Sequence, residues 1–110
     1  IEPYASLKKL SEILKETYQR QARNLIILSH FPPFDTKVDI TWGNVHAGLP
    51  ELRDFIMLYA PKLFLCGHIH ESRGIDYIGD TLIVNAGSAA GGNYALIDIK
   101  NKKAKLLRMW

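Results

Sequence analysis

Two short apolar runs, each followed by histidine, constrain this sequence more than any other feature. One run spans residues 25–28 and precedes His30, and the other spans residues 63–66 and precedes His68 and His70. Uninterrupted apolar runs of this length are typical of strands buried on both faces of a parallel sheet. The sequence therefore predicts two buried strands that carry histidines at their carboxyl ends.

The segment between the runs predicts how the two strands are arranged. Pro50 suits the first turn of a helix and Pro61 its end, with apolar residues at helical spacing between them. A strand–helix–strand unit joins parallel strands, which end at one sheet edge and lie about 4.8 Å apart when they are neighbours. We therefore expect His30 and His68 to reach one cation, and His70 to be better placed for a second metal.

The rest of the chain predicts an α/β domain with two helices on mixed β-sheets. An amphipathic pattern predicts a first helix over residues 4–22, and residues 31–49 form a long segment without a period, which is typical of functional loops. After the paired histidines, short strands separated by turn residues are predicted at 74–78, 81–84, 94–99 and 103–109. Gly79 and Asp80 are suited to a tight hairpin between the first two of these strands.

Composition sets outer limits on function. The 110 residues allow one domain at most, and a hydrophobic fraction of 47% argues against disorder. A net charge of +3 does not by itself indicate binding to nucleic acid. The last eleven residues contain a basic cluster of Lys100, Lys102, Lys103, Lys105 and Arg108. This cluster is either a solvated strand face or a surface that attracts phosphate. With a single cysteine, no signal peptide pattern and no apolar run near 20 residues, we expect a cytoplasmic protein without membrane segments.

Several further residues have both a functional and a structural interpretation. His46, in the long loop, either contacts phosphate or supports a metal ligand, or it is an exposed loop histidine. Asp35 and Asp39 are expected to be solvated rather than outer partners of metal ligands. Trp42 is expected to pack the loop down rather than stack on a base or aromatic leaving group, and Cys66 to be an inert buried thiol.

Short motifs in a fixed order suggest a family. They are Leu28-Ser29-His30-Phe31-Pro32-Pro33, Tyr59-Ala60-Pro61-Lys62, Gly67-His68-Ile69-His70-Glu71-Ser72 and Val84-Asn85-Ala86-Gly87-Ser88. This set resembles the C-terminal half of the calcineurin-like metallophosphoesterases. The resemblance implies half of a four-layer αββα sandwich and hydrolysis of a phosphate ester by in-line attack of hydroxide at a dinuclear metal site. It also implies that His30 and His68 bind one divalent ion and His70 the other, the ions being Mn, Fe, Zn, Ni or Mg, and that His46 lies in a segment facing the substrate.

The first half of the family pattern is absent from the sequence. Its Asp-x-His, Gly-Asp-x-x-Asp and Gly-Asn-His-Asp/Glu motifs supply the carboxylate that bridges the metals and a histidine that assists catalysis. We therefore expect residues 1–110 to form only the C-terminal half of the domain, with no catalytic residue beyond the metal ligands, and the start at Ile1 to mark a processed or excised piece. The uncovered sheet edge predicts a complementary N-terminal half, or self-association as a dimer, of which a swapped dimer is one form.

The class of function stays open at this point. A non-catalytic interaction scaffold of the same fold and a mononuclear zinc protein are the alternatives to a phosphodiesterase or phosphatase, since three imidazoles alone suffice for one zinc. Nothing in the sequence selects among phosphodiesters, phosphomonoesters, nucleotides and nucleic acids.

Overall fold

The computed structural model describes Lys8, Lys9, Glu12, Lys15 and residues 24–110. The helix predicted over residues 4–22 lies outside the described residues, apart from those four, which are helical. From residue 24 onward the elements are β1 (Ile26–Leu28), α1 (Pro50–Tyr59), β2 (Leu63–Cys66), β3 (Gly74–Ile78), β4 (Thr81–Asn85), β5 (Asn93–Asp98) and β6 (Lys103–Arg108). All of the predicted strands are present, with ends shifted by at most two residues.

Four of these strands form one sheet in the order β1-β2-β4-β3. Strands β1, β2 and β4 run parallel, with Ile27 opposite Phe64 and Leu65 opposite Val84, whereas β3 pairs antiparallel with β4 through a tight hairpin. Strands β5 and β6 form a separate antiparallel pair. The predicted mixed α/β fold class and the parallel pairing of the two histidine-terminated strands are confirmed.

The core has one cluster of side chains on each face of the four-stranded sheet. Helix α1 begins with Pro50 and ends at Ala60, whose left-handed φ of 47° lets its N–H bond the carbonyl oxygen of Ile56 at 2.8 Å. On one face the helix packs through Leu52, Phe55 and Ile56 against Phe64 and Ile83. On the other face, Leu63, Leu82 and Val84 pack against Ala95, Ile97, Ala104 and Leu106 of the β5–β6 pair. The sheet is thus covered by a helix on one side and by strands on the other.

Strand β1 departs from the sequence prediction, because it is not buried on both faces. Ile26 is 46% exposed and Leu28 is 83% exposed. Leu25 and Ile27 pack against the core on the helix side, whereas Ile26 and Leu28 project to the opposite face. In the described residues β1 is an edge strand, and neither core cluster there includes Ile26 or Leu28. In the same part of the chain, no helix has both the length and the apolar character needed to cross a membrane.

Candidate metal centre and the adjoining histidine loop

His30 and His68 meet at the carboxyl ends of β1 and β2. Their closest ring atoms, Nε2 of His30 and Nδ1 of His68, are 3.0 Å apart, and the ring centroids are 4.8 Å apart. The ring of Phe31 lies against both, at 5.0 Å from His30 and 4.8 Å from His68. Both imidazoles are exposed to solvent, so the pair is open to a ligand.

The backbone at His68 is strained, within a segment over residues 67–73 that we call the histidine loop. The φ of His68 is +67°, a left-handed value that residues with a Cβ rarely adopt. The N–H of Ile69 donates to the carbonyl oxygen of Gly67 at 2.7 Å, which closes a three-residue turn centred on His68, the rare form of γ-turn with positive φ. The N–H of Gly67 donates in turn to the carbonyl oxygen of His30 at 3.2 Å. Strain of this kind persists where the surroundings enforce it, and it clusters at functional sites.

The spacing of the two nitrogens fits a shared metal ion. Two imidazole nitrogens at about 2.1 Å from one ion lie about 3.0 Å apart when they subtend about 90°, and about 3.4 Å apart at the tetrahedral angle. The observed 3.0 Å therefore suits two adjacent ligands as well as it suits one hydrogen bond. Neutral imidazole is a good ligand for Zn, Fe and Ni ions.

His70 lies outside this pair. It begins a short 3₁₀ turn, His70–Ser72, and its side chain is exposed. In the described ranges, no group of three or more His, Cys, Asp or Glu side chains is placed to hold a metal ion. The structure thus brings His30 and His68 together and leaves His70 apart from them, so a complete site needs ligands beyond this pair.

The side chain of Asn85 forms hydrogen bonds with the histidine loop, a contact that the sequence did not indicate. Asn85 is 1% exposed and ends β4. Its Nδ2 donates to the carbonyl oxygens of Ile69 at 2.9 Å and Ser72 at 3.1 Å, while its Oδ1 accepts from the N–H of Gly87 at 3.0 Å. Both polar atoms of its side chain are therefore hydrogen-bonded, and Nδ2 fixes the histidine loop.

Ser72 connects the histidine loop to the long loop over residues 31–49. Its buried Oγ accepts a hydrogen bond from the N–H of Ile40 at 2.9 Å and donates one to the carbonyl oxygen of Lys37 at 2.8 Å. A displacement of either loop would therefore strain the other through this hydroxyl.

Arg73 connects the same loop to the second sheet. Its Nε donates to the carbonyl oxygen of Ala86 at 3.1 Å, and its Nη2 donates to that of Leu107 at 3.0 Å. The turn at Gly87 allows this contact, because a Cβ there would lie 2.9 Å from Cδ of Arg73. The guanidinium thus joins the end of the histidine loop to β6.

A carboxylate and a histidine form a second polar cluster in the long loop. Nδ1 of His46 lies 2.6 Å from Oδ1 of Asp39, and Nε2 of His46 lies 3.5 Å from Oδ1 of Asp35. Asp39 also accepts from the backbone N–H groups of Asp35, Thr36 and Gly48 at 2.9–3.1 Å. The expectation of a solvated Asp39 is wrong, since its side chain is fully buried; Asp35 is exposed as expected.

The hydrogen bonds within this cluster set its charge. Burial by itself would raise the pKa of Asp39, but hydrogen bonds from His46 and from the surrounding backbone N–H groups outweigh it and lower that pKa. The hydrogen bond to Asp39 raises the pKa of His46 against the effect of desolvation, and the charges of Asp39 and Asp35 add to the rise. His46 is therefore held in a fixed orientation and is more readily protonated than a free histidine.

The predictions for Trp42 and Cys66 differ in outcome: the first is wrong and the second is confirmed. Trp42 does not pack the loop down, because 88% of it is exposed at the tip of a turn closed by hydrogen bonds between Thr41 and Val45. Cys66 behaves as predicted for an unreactive thiol: burial, with a smaller contribution from the charge of Asp39, raises its pKa to about 12. The thiolate needed for nucleophilic attack is therefore negligible near neutral pH.

Known proteins resemble this chain in sequence and in fold. A family model described as "Metallophosphoesterase, calcineurin superfamily" matches residues 6–109. The uncharacterized protein MJ1162 of Methanocaldococcus jannaschii is 39% identical over 70 residues, which are 60% of this chain and 32% of that protein. One crystal structure, at 28% identity, superposes with a TM-score of 0.76 over 94% of this chain and 40% of its own. That of TT1561 of Thermus thermophilus, at 21% identity, superposes with a TM-score of 0.65 over 93% of this chain and 42% of its own. The chain thus spans less than half the length of each of these relatives.

Proposed function

The chain belongs to the calcineurin superfamily of metallophosphoesterases, and on that premise we propose that it contributes His30, His68 and His70 to a dinuclear metal site that hydrolyses phosphate esters. His30 and His68 would bind one divalent ion and His70 the other. The observation that carries this proposal is the 3.0 Å approach of the His30 and His68 ring nitrogens at one sheet edge. Divalent ions at such a site lower the pKa of bound water and offset the charge on phosphoryl oxygens.

His46 is the residue we assign to the substrate. The hydrogen bond from its Nδ1 to Asp39 leaves Nε2 as the atom free to approach a ligand, although Asp35 lies 3.5 Å from that atom. Because its pKa is raised, His46 carries a positive charge over a wider pH range than a free histidine, which favours contact with a phosphoryl oxygen. Phosphodiesters and phosphomonoesters both offer such an oxygen.

The remaining ligands would come from outside the described residues. Three neutral imidazoles cannot offset the charge of two divalent ions, so a bridging carboxylate is required. The exposed outer side of β1, with Leu28 83% exposed, is the surface on which we propose that a complementary N-terminal half or a second copy docks. A cytoplasmic location, favoured by the single cysteine, stays a prediction.

Metal content and hydrolysis together test the proposal. The assembled protein, meaning this chain together with its complementary half or second copy, would be loaded separately with Mn, Fe, Zn, Ni and Mg. Its metal content would be measured by mass spectrometry, and its hydrolysis of mono- and bis-p-nitrophenyl phosphate would be followed. Two ions per molecule and hydrolysis that is lost in His68→Ala support the proposal. One tightly held zinc identifies instead a mononuclear zinc protein, and no metal identifies an interaction scaffold of the same fold.

A further inference from the structure

We propose that Asn85 is a positioning residue whose side-chain amide holds His68 in the strained conformation that brings it to His30. The inference rests on the proposed metal site and adds to it a residue that touches neither the metal nor the substrate. It is carried by the hydrogen bonds of one buried amide to the histidine loop.

The turn at His68 is energetically costly. A left-handed conformation at a residue with a Cβ costs roughly 1–2 kcal/mol, so the φ of +67° at His68 does not persist without support. The single hydrogen bond that closes the turn, from Ile69 N–H to Gly67, is formed by the loop itself and does not connect it to the rest of the fold.

Asn85 supports the chain on the carboxyl side of His68. Its Nδ2 donates to the carbonyl oxygens of Ile69 and Ser72, so it fixes the Ile69–His70 peptide, one residue beyond His68, and the peptide that ends the 3₁₀ turn His70–Ser72. Oδ1 is occupied by the N–H of Gly87, which fixes the amide orientation. An amide is the one side chain of this size that donates twice and accepts at once, and here it is 1% exposed, where unpaired polar groups are costly.

Loss of this support would affect the pair of imidazoles. Without the Nδ2 donors, the Ile69–His70 peptide is no longer fixed, and His68 can relax toward an unstrained φ, which would turn the imidazole away from His30. Groups that orient metal ligands change metal affinity by roughly 10- to 100-fold when they are removed. Asn85→Asp keeps an acceptor for Gly87 and replaces the two donors by an oxygen that repels both carbonyl groups, so it is the informative variant.

The experiment compares Asn85→Asp with Asn93→Asp in the assembled protein. Nδ2 of Asn93 likewise donates to a backbone carbonyl, that of Ser88 at 3.0 Å, so the same chemical change is made outside the histidine loop. Co²⁺ affinity would be measured by calorimetry and by visible absorption, and the approach of the two imidazoles by the nuclear Overhauser effect between the His30 and His68 rings. Asn85→Ser, which shortens the side chain without burying a charge, serves if the aspartate variant does not fold.

We expect the Asn85 variant to bind Co²⁺ roughly tenfold more weakly or worse, with a reduced ring-to-ring signal, and Asn93→Asp to match the wild type. A folded Asn85 variant with unchanged affinity and signal overturns the inference, as does an equal loss in Asn93→Asp. If the wild type binds no Co²⁺, the proposed metal function fails, while the ring-to-ring signal still decides whether Asn85 positions His68.

Discussion

Nε2 of His30 and Nδ1 of His68 lie 3.0 Å apart although 38 positions separate the two residues along the chain. The parallel pairing of β1 with β2 produces this approach, since Leu28 lies opposite Leu65 and the two chains leave the sheet at the same edge. The left-handed turn at His68 then directs its ring toward that of His30.

Replacing His68 by glycine and by alanine separates metal binding from backbone strain. Both variants lack the imidazole, so both are expected to lose Co²⁺ affinity by more than about 100-fold. Glycine adopts a φ of +67° readily, so without metal His68→Gly should be about 1 kcal/mol more stable than His68→Ala in urea unfolding. Equal stability of the two variants would show that the turn relaxes in His68→Ala. Trp42→Ala, at an exposed position outside the pair, is the control for affinity.

The Asp39–His46 pair predicts a pH dependence of stability. The pKa of His46 is raised above its ordinary value of 6.5 by the hydrogen bond to Asp39. Its contribution to the free energy of unfolding is therefore fully present below pH 6.5 and is lost as the pH rises through the folded-state pKa. Relative to His46→Asn, the wild type should lose stability as the pH is raised above 6.5. A difference that does not vary with pH would contradict the assignment, and an NMR titration of the His46 ring measures its pKa directly.

Gly48 should not tolerate a side chain. A Cβ at this position would lie 2.5 Å from the carbonyl oxygen of Pro33, which belongs to the backbone and cannot move aside cheaply. Gly48→Ala is expected to destabilise the protein by roughly 1–3 kcal/mol, because it forces the two sides of the long loop apart. The matched control is Gly43→Ala, where the nearest atom is 3.8 Å away, and its effect should stay within about 0.5 kcal/mol. Urea unfolding measures both, and equal effects would refute the steric argument.

The exposed edge of β1 predicts a dependence of association on Leu28. A lysine at this position places a charge on the exposed face of the edge strand, and natural proteins use lysine on edge strands to prevent pairing. We expect Leu28→Lys to weaken self-association, or binding of a complementary half, by at least about tenfold in sedimentation equilibrium. Leu58→Lys is the control, because Leu58 is 74% exposed on α1 and not on a strand. A wild type that is monomeric and binds no complementary chain would remove the basis for this surface.

The architecture and the approach of His30 to His68 could be predicted from the sequence for a physical reason. Apolar runs, helix signals and turn residues act locally, and chain connectivity then requires parallel strands that end together. The prediction that β1 is buried on both faces was wrong. An apolar run indicates that burial of a strand would be favourable, but the observed exposure depends on which other elements pack against that strand.

The burial and the contacts of the buried polar side chains could not be predicted from local sequence patterns. Three backbone N–H groups converge on Asp39 and offset the cost of burying its carboxylate, and nothing in its own sequence context distinguishes it from the exposed Asp35. The left-handed turn at His68 carries no glycine signal, and the contacts of Asn85 depend on the tertiary position of the loop above it. The conformation of a loop that is fixed by residues distant in sequence therefore cannot be predicted from local sequence patterns.

The bond from Arg73 to Leu107 gives the last strand a role beyond covering the sheet. Truncation before β6 would remove the carbonyl oxygen of Leu107, which accepts a hydrogen bond from the guanidinium of Arg73. Arg73 directly follows the 3₁₀ turn His70–Ser72 and would lose this contact. Removal of β6 should therefore perturb the histidine loop as well as the face of the sheet that β6 covers.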